Sequence, residues 1–193
     1  MDRYWLLTNT FYGTWLPGKN QGFVGRVWEH REGDRGEDLR VIHNIPGTPC
    51  DEDIPGLEEA SQMLMRGPPI YLVVAQAEAL LAQFQETATF RRWEIEAVAI
   101  MHNHFHILVG VGGDPAPKKI LADFKAWGTR TLSRKFGGPP SETWWTASGS
   151  KRKLKDVAAR LDAIHYVLYK QPSPLWTWSP KTGLCYGYPP LPD

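Results

Sequence analysis

The sequence predicts an α+β fold, a mainly antiparallel sheet with packed helices, and three observations carry that expectation. Trp93–Met101 and His104–Gly110 are two apolar runs joined through His102 and Asn103, the pattern of a β-hairpin. Lys118–Phe136 and Asp156–Lys170 place apolar residues at helical spacing. The resulting order, β-α-β-β-α-(β)-α, suits a sandwich of one sheet with helices on one face or both.

Taken in order, Tyr4–Thr10 is apolar and aromatic-rich and reads as the first strand, followed by the turn-prone Phe11–Gly18. Residues from about 18 to 56 are rich in Gly, Pro and charge without clear periodicity. They predict an insertion, extending to about 70, with a short strand near Leu39–His43 and a short helix at Leu57–Arg66. Ala75–Thr87 has strong helix formers at helical spacing. In the basic helix Lys118–Phe136, the inner side is expected to carry Ile120, Phe124, Trp127, Thr131 and Leu132. Trp144–Ser150 reads as a short strand or loop. Asp156 is placed to cap the last helix, and Pro172 limits it.

The 193 residues suit one domain, 1–193. No apolar run approaches the ~20 residues needed to span a bilayer, and the first residues lack a secretory layout, so the expected location is cytoplasmic. Cys50 and Cys185 match neither a disulfide framework nor a zinc spacing. The net charge of +1 conceals an asymmetry. Glu29–Glu59 holds ten acidic residues against three arginines, and Lys118–Lys155 holds ten Lys/Arg against Asp123 and Glu142. Such a split fits a face for a polyanion, and equally two solvated faces of opposite sign.

The densest chemistry lies in Met101-His102-Asn103-His104-Phe105-His106-Ile107. Side chains alternate along a strand, so His104 and His106 share one face while Phe105 and Ile107 anchor the other. Two imidazoles one pleat apart can bind one metal ion. His102 alternates onto the same face but sits at the turn, which makes it a supporting candidate. Three imidazoles would favour zinc. Two imidazoles with an oxygen donor and open positions would suit Mg²⁺ or Mn²⁺ with a phosphate substrate.

The segment Ala97–Val111 (AVAIMHNHFHILVGV) resembles the His-hydrophobic-His signature of the HUH endonucleases, and most of all the single-tyrosine and REP-associated tyrosine transposases. Those proteins commonly read Met-Pro-Asn-His-Val-His-Leu-Leu here; this chain has His102 at the proline and keeps both histidines. The stretches TFYGTWLPG, WWTASGSKRKL and YVLYKQ resemble one subgroup of the family as well, while about 20–70 is unmatched. The resemblance implies a ferredoxin-like, HUH-type sandwich and a helical tyrosine that attacks a DNA phosphodiester, forming a 5′-phosphotyrosine and releasing a 3′-hydroxyl.

Tyr166 occupies the family's tyrosine position, before Val167 and Leu168, and Tyr169 is the runner-up one turn later. The family often places Gln or Asn four residues beyond the tyrosine as the third ligand. Here that position is Lys170, and Gln171 falls one place late. Standing before Pro172, Gln171 is pushed out of the α region and can curl back. Asp162, one turn before Tyr166, is the alternative oxygen ligand, and Lys170 is a candidate to lower the tyrosine's pKa or hold a phosphate.

The expected partner is single-stranded or hairpin DNA. Lys118, Lys119, Lys125, Arg130, Arg134, Lys135, Lys151, Arg152 and Lys153, with Lys155, would track phosphates, and Trp144 and Trp145 are candidates for base stacking or for the core. On DNA the protein would be nucleoid-associated, as a monomer or a homodimer. Two other readings stay open: a His-x-His metal hydrolase that activates water, and a DNA-binding relative without catalysis.

Overall fold

The alternating and helical patterns become twelve elements in a computed structural model that describes residues 1, 3–18, 25–29, 39–43 and 55–191. They are β1 (Arg3–Thr10), β2 (Gly25–Glu29), β3 (Leu39–His43), α1 (Pro55–Met63), α2 (Val74–Arg91), β4 (Glu94–Ile100), β5 (His104–Val111), α3 (Pro117–Phe136), β6 (Ser150–Leu154), α4 (Val157–Tyr169), β7 (Trp176–Ser179) and β8 (Gly183–Tyr186). Six strands form one antiparallel sheet in the order β6-β1-β5-β4-β7-β8, while β2 and β3 pair separately. The architecture is the α+β arrangement expected, a mainly antiparallel sheet with helices packed on it. Cys50 lies outside the described residues, as does most of the acidic 29–59 stretch. Among the described residues no helix is long and apolar enough to cross a membrane.

Strand alternation sorts the core into two layers. On one face Leu7, Val98, Ile100, Phe105, Ile107 and Val109 pack against Leu80, Phe84, Ile120 and Phe124 of α2 and α3. On the other, Leu6, Ala97, Ala99 and Leu108 pack against Ala163, Val167 and Leu168 of α4. The two layers differ in bulk along β4. Small Ala97 and Ala99 lie under α4, while Val98 and Ile100 lie under α2 and α3, so α4 can approach the sheet closely. A register shift between Ile95 and Ala97 turns Glu96 toward α4, where it pairs with Arg160, whose guanidinium also lies 4.1 Å from the Tyr4 ring centroid.

The hairpin turn falls at His102-Asn103, with Met101 N donating to His104 O at 2.9 Å. Asp156 caps α4, its carboxylate accepting from Ala159 N at 2.8 Å. Asp156→Ala is expected to cost about 1 kcal/mol, lowering Tm by roughly 2–4 °C in a thermal melt; no shift would remove this account of where α4 begins.

The structure corrects the expected inner side of α3 and decides between the two readings open for Trp144 and Trp145. Trp127 is half-exposed with Arg130 stacked over it at 4.5 Å, and Leu121 and Gly128 join the buried side of α3 instead. Trp144 and Trp145 are buried, their indole N–H groups donating to Ser133 and Thr129 hydroxyls at 3.0 and 2.6 Å, so both belong to the core and neither is available to stack a base. The sheet also continues beyond Pro172 into β7 and β8, which the sequence reading left unassigned. Strands of four residues between prolines and glycines carry too little alternation to register.

Candidate metal and nucleophile site

His104 and His106 lie on the α4 face of β5, both buried, with ring centroids 5.0 Å apart. Their neighbours make room for them. Across the sheet from His106 stand Ala99 on β4 and Thr8 on β1, neither large enough to fill the space above the imidazole. Each ring is held at Nδ1. His104 Nδ1 donates to the Asn103 side-chain oxygen at 2.7 Å, and since an amide oxygen only accepts, that tautomer leaves the Nε2 lone pair available. Thr8 Oγ1 sits 2.7 Å from His106 Nδ1, and with the hydroxyl accepting, His106 presents Nε2 in the same way. A hydrogen bond that orients the distal ring nitrogen is the usual support for a metal-ligating histidine.

Burial lowers the pKa of His104 to about 4, and burial with the neighbouring His104 lowers that of His106 to about 3. Both imidazoles are therefore neutral at physiological pH, the form that binds metal. The Gln171 carboxamide lies against both rings, and with its nitrogen engaged elsewhere it has its oxygen left to offer beside their nitrogens. Its Nε2 donates to Tyr166 O at 3.0 Å. Beyond the C-cap Lys170 the chain leaves the helix, and Gln171 curls back to become buried, the one-residue offset absorbed by that turn. Tyr188 donates its hydroxyl to the Gln171 main-chain oxygen and accepts from Ser173 N at 3.2 Å, so the segment after β8 pins the curl in place.

Tyr166 projects from α4 over the pair, 43% exposed, with its ring edge-on to His106 at 5.4 Å. Tyr169 is different: its hydroxyl donates to Pro190 O at 3.1 Å and its ring lies 5.2 Å from His165. His102 is exposed, its Nδ1 2.9 Å from Leu72 O, and is not part of the cluster. Asp162 and Lys170 are likewise exposed. Among the described residues no three His, Cys, Asp or Glu side chains gather at metal-binding spacing, so neither His102 nor Asp162 completes the set. Two imidazole nitrogens and a carboxamide oxygen form the donor group the structure brings together.

The basic residues divide between the two faces. α3 packs opposite the histidines, so Lys118, Lys119, Lys125, Arg130, Arg134 and Lys135 lie on the face of the sheet away from the metal pair. The cause is the apolar stripe of α3, which matches Phe105 and Val109 on the side of β5 away from His104. Lys119 pairs with Asp123 at 3.4 Å. Lys118, Lys125 and Lys151 line one cleft, but Lys125 Nζ already donates to Asn9 Oδ1 at 3.1 Å and Thr146 O at 2.7 Å, clamping the 146–148 loop. Burial and Lys151 lower its pKa to about 8. On the edge strand β6, pairing opposite Leu7, Leu6 and Trp5 turns Lys151 and Lys153 toward α3 and Arg152 toward α4.

Thr8, Asn103, Tyr188 and Trp15, whose ring lies 5.6 Å from His104, were not legible as site residues. Asn103 adjoins a histidine and so carried a local signal; the other three reach the site through tertiary pairing.

No family model and no curated protein matches the chain. Among solved structures it is similar to a REP-associated tyrosine transposase bound to a REP hairpin, at 11% identity and a TM-score of 0.47, with 87% of this chain and 66% of that chain covered. The chain therefore spans slightly under two thirds of that protein's length.

Proposed function

We propose that the chain is a metal-dependent single-strand DNA endonuclease and transposase that cuts and rejoins hairpin-associated DNA through a 5′-phosphotyrosine at Tyr166. The observation supporting this reading is the meeting of two Nε2 lone pairs, a carboxamide oxygen and a helical tyrosine on one face of the sheet. Two neutral imidazoles and one oxygen fit Mg²⁺ or Mn²⁺. His104, His106 and Gln171 would hold the ion, which when bound supplies Lewis-acid stabilisation of charge at the scissile phosphate.

The chain's own groups do the rest. Asn103 and Thr8 hold the imidazoles with Nε2 facing the site, and Gln171 ties that arrangement to the backbone of Tyr166. The tyrosine hydroxyl gives up its proton and its oxygen bonds to phosphorus, while the bond from phosphorus to the 3′-oxygen breaks and that oxygen is protonated. The phosphodiester is conserved as a tyrosyl ester, so a 3′-hydroxyl can attack it in reverse and restore the strand. Lys151, Arg152 and Lys153 put positive charge on both sides of the β6 edge, beside which a single strand can run.

The test uses a pool of hairpin oligonucleotides with randomised single-stranded flanks, incubated with MgCl₂ or MnCl₂ and resolved under denaturing conditions. A metal-dependent covalent adduct, mapped by mass spectrometry to the Tyr166 peptide, is the expected result. Cleavage without any adduct would favour water activation by the metal pair, and tight binding without cleavage would favour a non-catalytic DNA-binding protein.

A further inference from the structure

Four rings follow one another in contact across the site, with successive centroid separations of 5.6 Å from Trp15 to His104, 5.0 Å from His104 to His106 and 5.4 Å from His106 to Tyr166. The tyrosine stands at one end and an indole at the other. We infer that Trp15 stacks the base of the nucleotide whose 3′-oxygen leaves, so that the base immediately 5′ to the cleaved phosphate is gripped beside the metal pair. The inference rests on the proposed tyrosine chemistry for its polarity.

Trp15 is positioned rather than merely near. Thr14, buried beside it, donates its hydroxyl to Phe11 O at 2.9 Å and Asn103 O at 3.1 Å. The residue that orients His104 thus also anchors the turn carrying the indole. Gly13 allows that turn with φ +70°, and a Cβ there would meet the Pro69 backbone at 3.2 Å. The half-exposed indole borders a small hollow of about 30 Å³ lined also by Thr8, Asn9, Thr10 and Thr146. The floor is closed by Gly149, where a Cβ would fall 2.7 Å from Thr8 O. The hollow is too small to enclose a base, so a base would lie on the half-exposed indole itself, a flat apolar surface that any nucleobase can stack on.

Distance and direction fix which base. Phosphates follow one another every ~3.4 Å along a stacked strand and farther apart in an extended one, so an indole 5.6 Å from His104 reaches a nucleotide adjoining a phosphate on the pair. Attacking and leaving oxygens lie roughly in line in phosphoryl transfer. With Tyr166 attacking from beside His106, the leaving 3′-oxygen and its nucleoside depart away from that side, and Trp15 stands beside the other imidazole.

The test is an abasic scan read by binding. A fluorescein-labelled hairpin oligonucleotide, selected from the randomised pool on Tyr166→Phe protein, is titrated by anisotropy with single abasic sites stepped through its flank. One position is expected to weaken binding about tenfold when abasic, Trp15→Ala to cause a similar loss on the intact strand, and the two together to cost little more than either. Trp15→Phe should keep most of the affinity, which a purely structural role for the indole would not predict. In wild type that position should lie immediately 5′ to the mapped cut. Equal losses for Trp15→Ala on intact and abasic strands, or coupling to the 3′ nucleotide, would overturn the inference. If the coupling holds but wild type forms no adduct, the base site stands and the tyrosine chemistry fails. If the adduct forms without coupling, the reverse is true, and if no strand binds at all, both fall.

Discussion

Tyr166→Phe is expected to abolish the covalent protein–DNA adduct, lowering its yield by at least ~10³-fold on the selected hairpin, as removal of a nucleophile does. The substitution deletes one oxygen and leaves the ring that packs edge-on to His106. Because the side chain is 43% exposed, its loss should leave the thermal midpoint and DNA affinity close to wild type. Tyr169→Phe makes the opposite pair of outcomes. Its hydroxyl donates to Pro190 O, so the variant should lose about 1 kcal/mol of stability while still forming adduct at a rate within a few-fold of wild type. Adduct from Tyr166→Phe and none from Tyr169→Phe would move the nucleophile one turn along α4. Adduct from the double variant would end the tyrosine mechanism for this chain.

How much of this was legible follows from the range of the interactions. Alternation is local, so the shared face of His104 and His106 and the hairpin that precedes them could be read from the sequence. So could the helix of Tyr166, whose capping aspartate and apolar spacing lie within one segment. Thr8 is not local: it meets His106 across 98 residues of chain because β1 pairs with β5. The curl of Gln171 was foreseeable from Pro172, but Tyr188, which holds it, belongs to a segment with no readable period. The charge pattern was legible and its placement was not. The apolar stripe of α3 matches the face of β5 that carries Phe105, and that match carries its lysines away from the histidines. Tryptophan composition left the choice open for a related reason, since burial decides whether an indole stacks a base or fills a core: Trp144 and Trp145 are inside, while Trp15 lies beside His104.

The second large effect concerns the neutral histidine pair. His104→Ala and His106→Ala should each weaken Mn²⁺ binding by ~100-fold or more in calorimetry, since loss of an orienting partner alone commonly costs 10–100-fold. The pH dependence separates this site from an exposed pair. With folded pKa values of about 4 and about 3, no proton need leave either ring at neutral pH. Affinity should therefore stay flat from about pH 8 to about pH 5, whereas an unperturbed pair would lose it below about 6.5. Stability without metal carries the same signature. Both folded values lie below the unfolded one, so in acid the unfolded chain takes up protons that the folded chain refuses. Stability is full above about pH 6.5 and falls toward pH 4 and then 3, by up to about 1.4 kcal/mol per pH unit for each histidine. Each alanine variant should flatten that slope even as it loses metal. Mn²⁺ affinity that declines steadily from pH 7, with an acid slope unchanged in the variants, would mean the imidazoles are solvated and the site is not built as described. Flat affinity and a flattened slope together would trace both effects to one cause, the burial that keeps neutral a pair of rings whose tautomers Asn103 and Thr8 set.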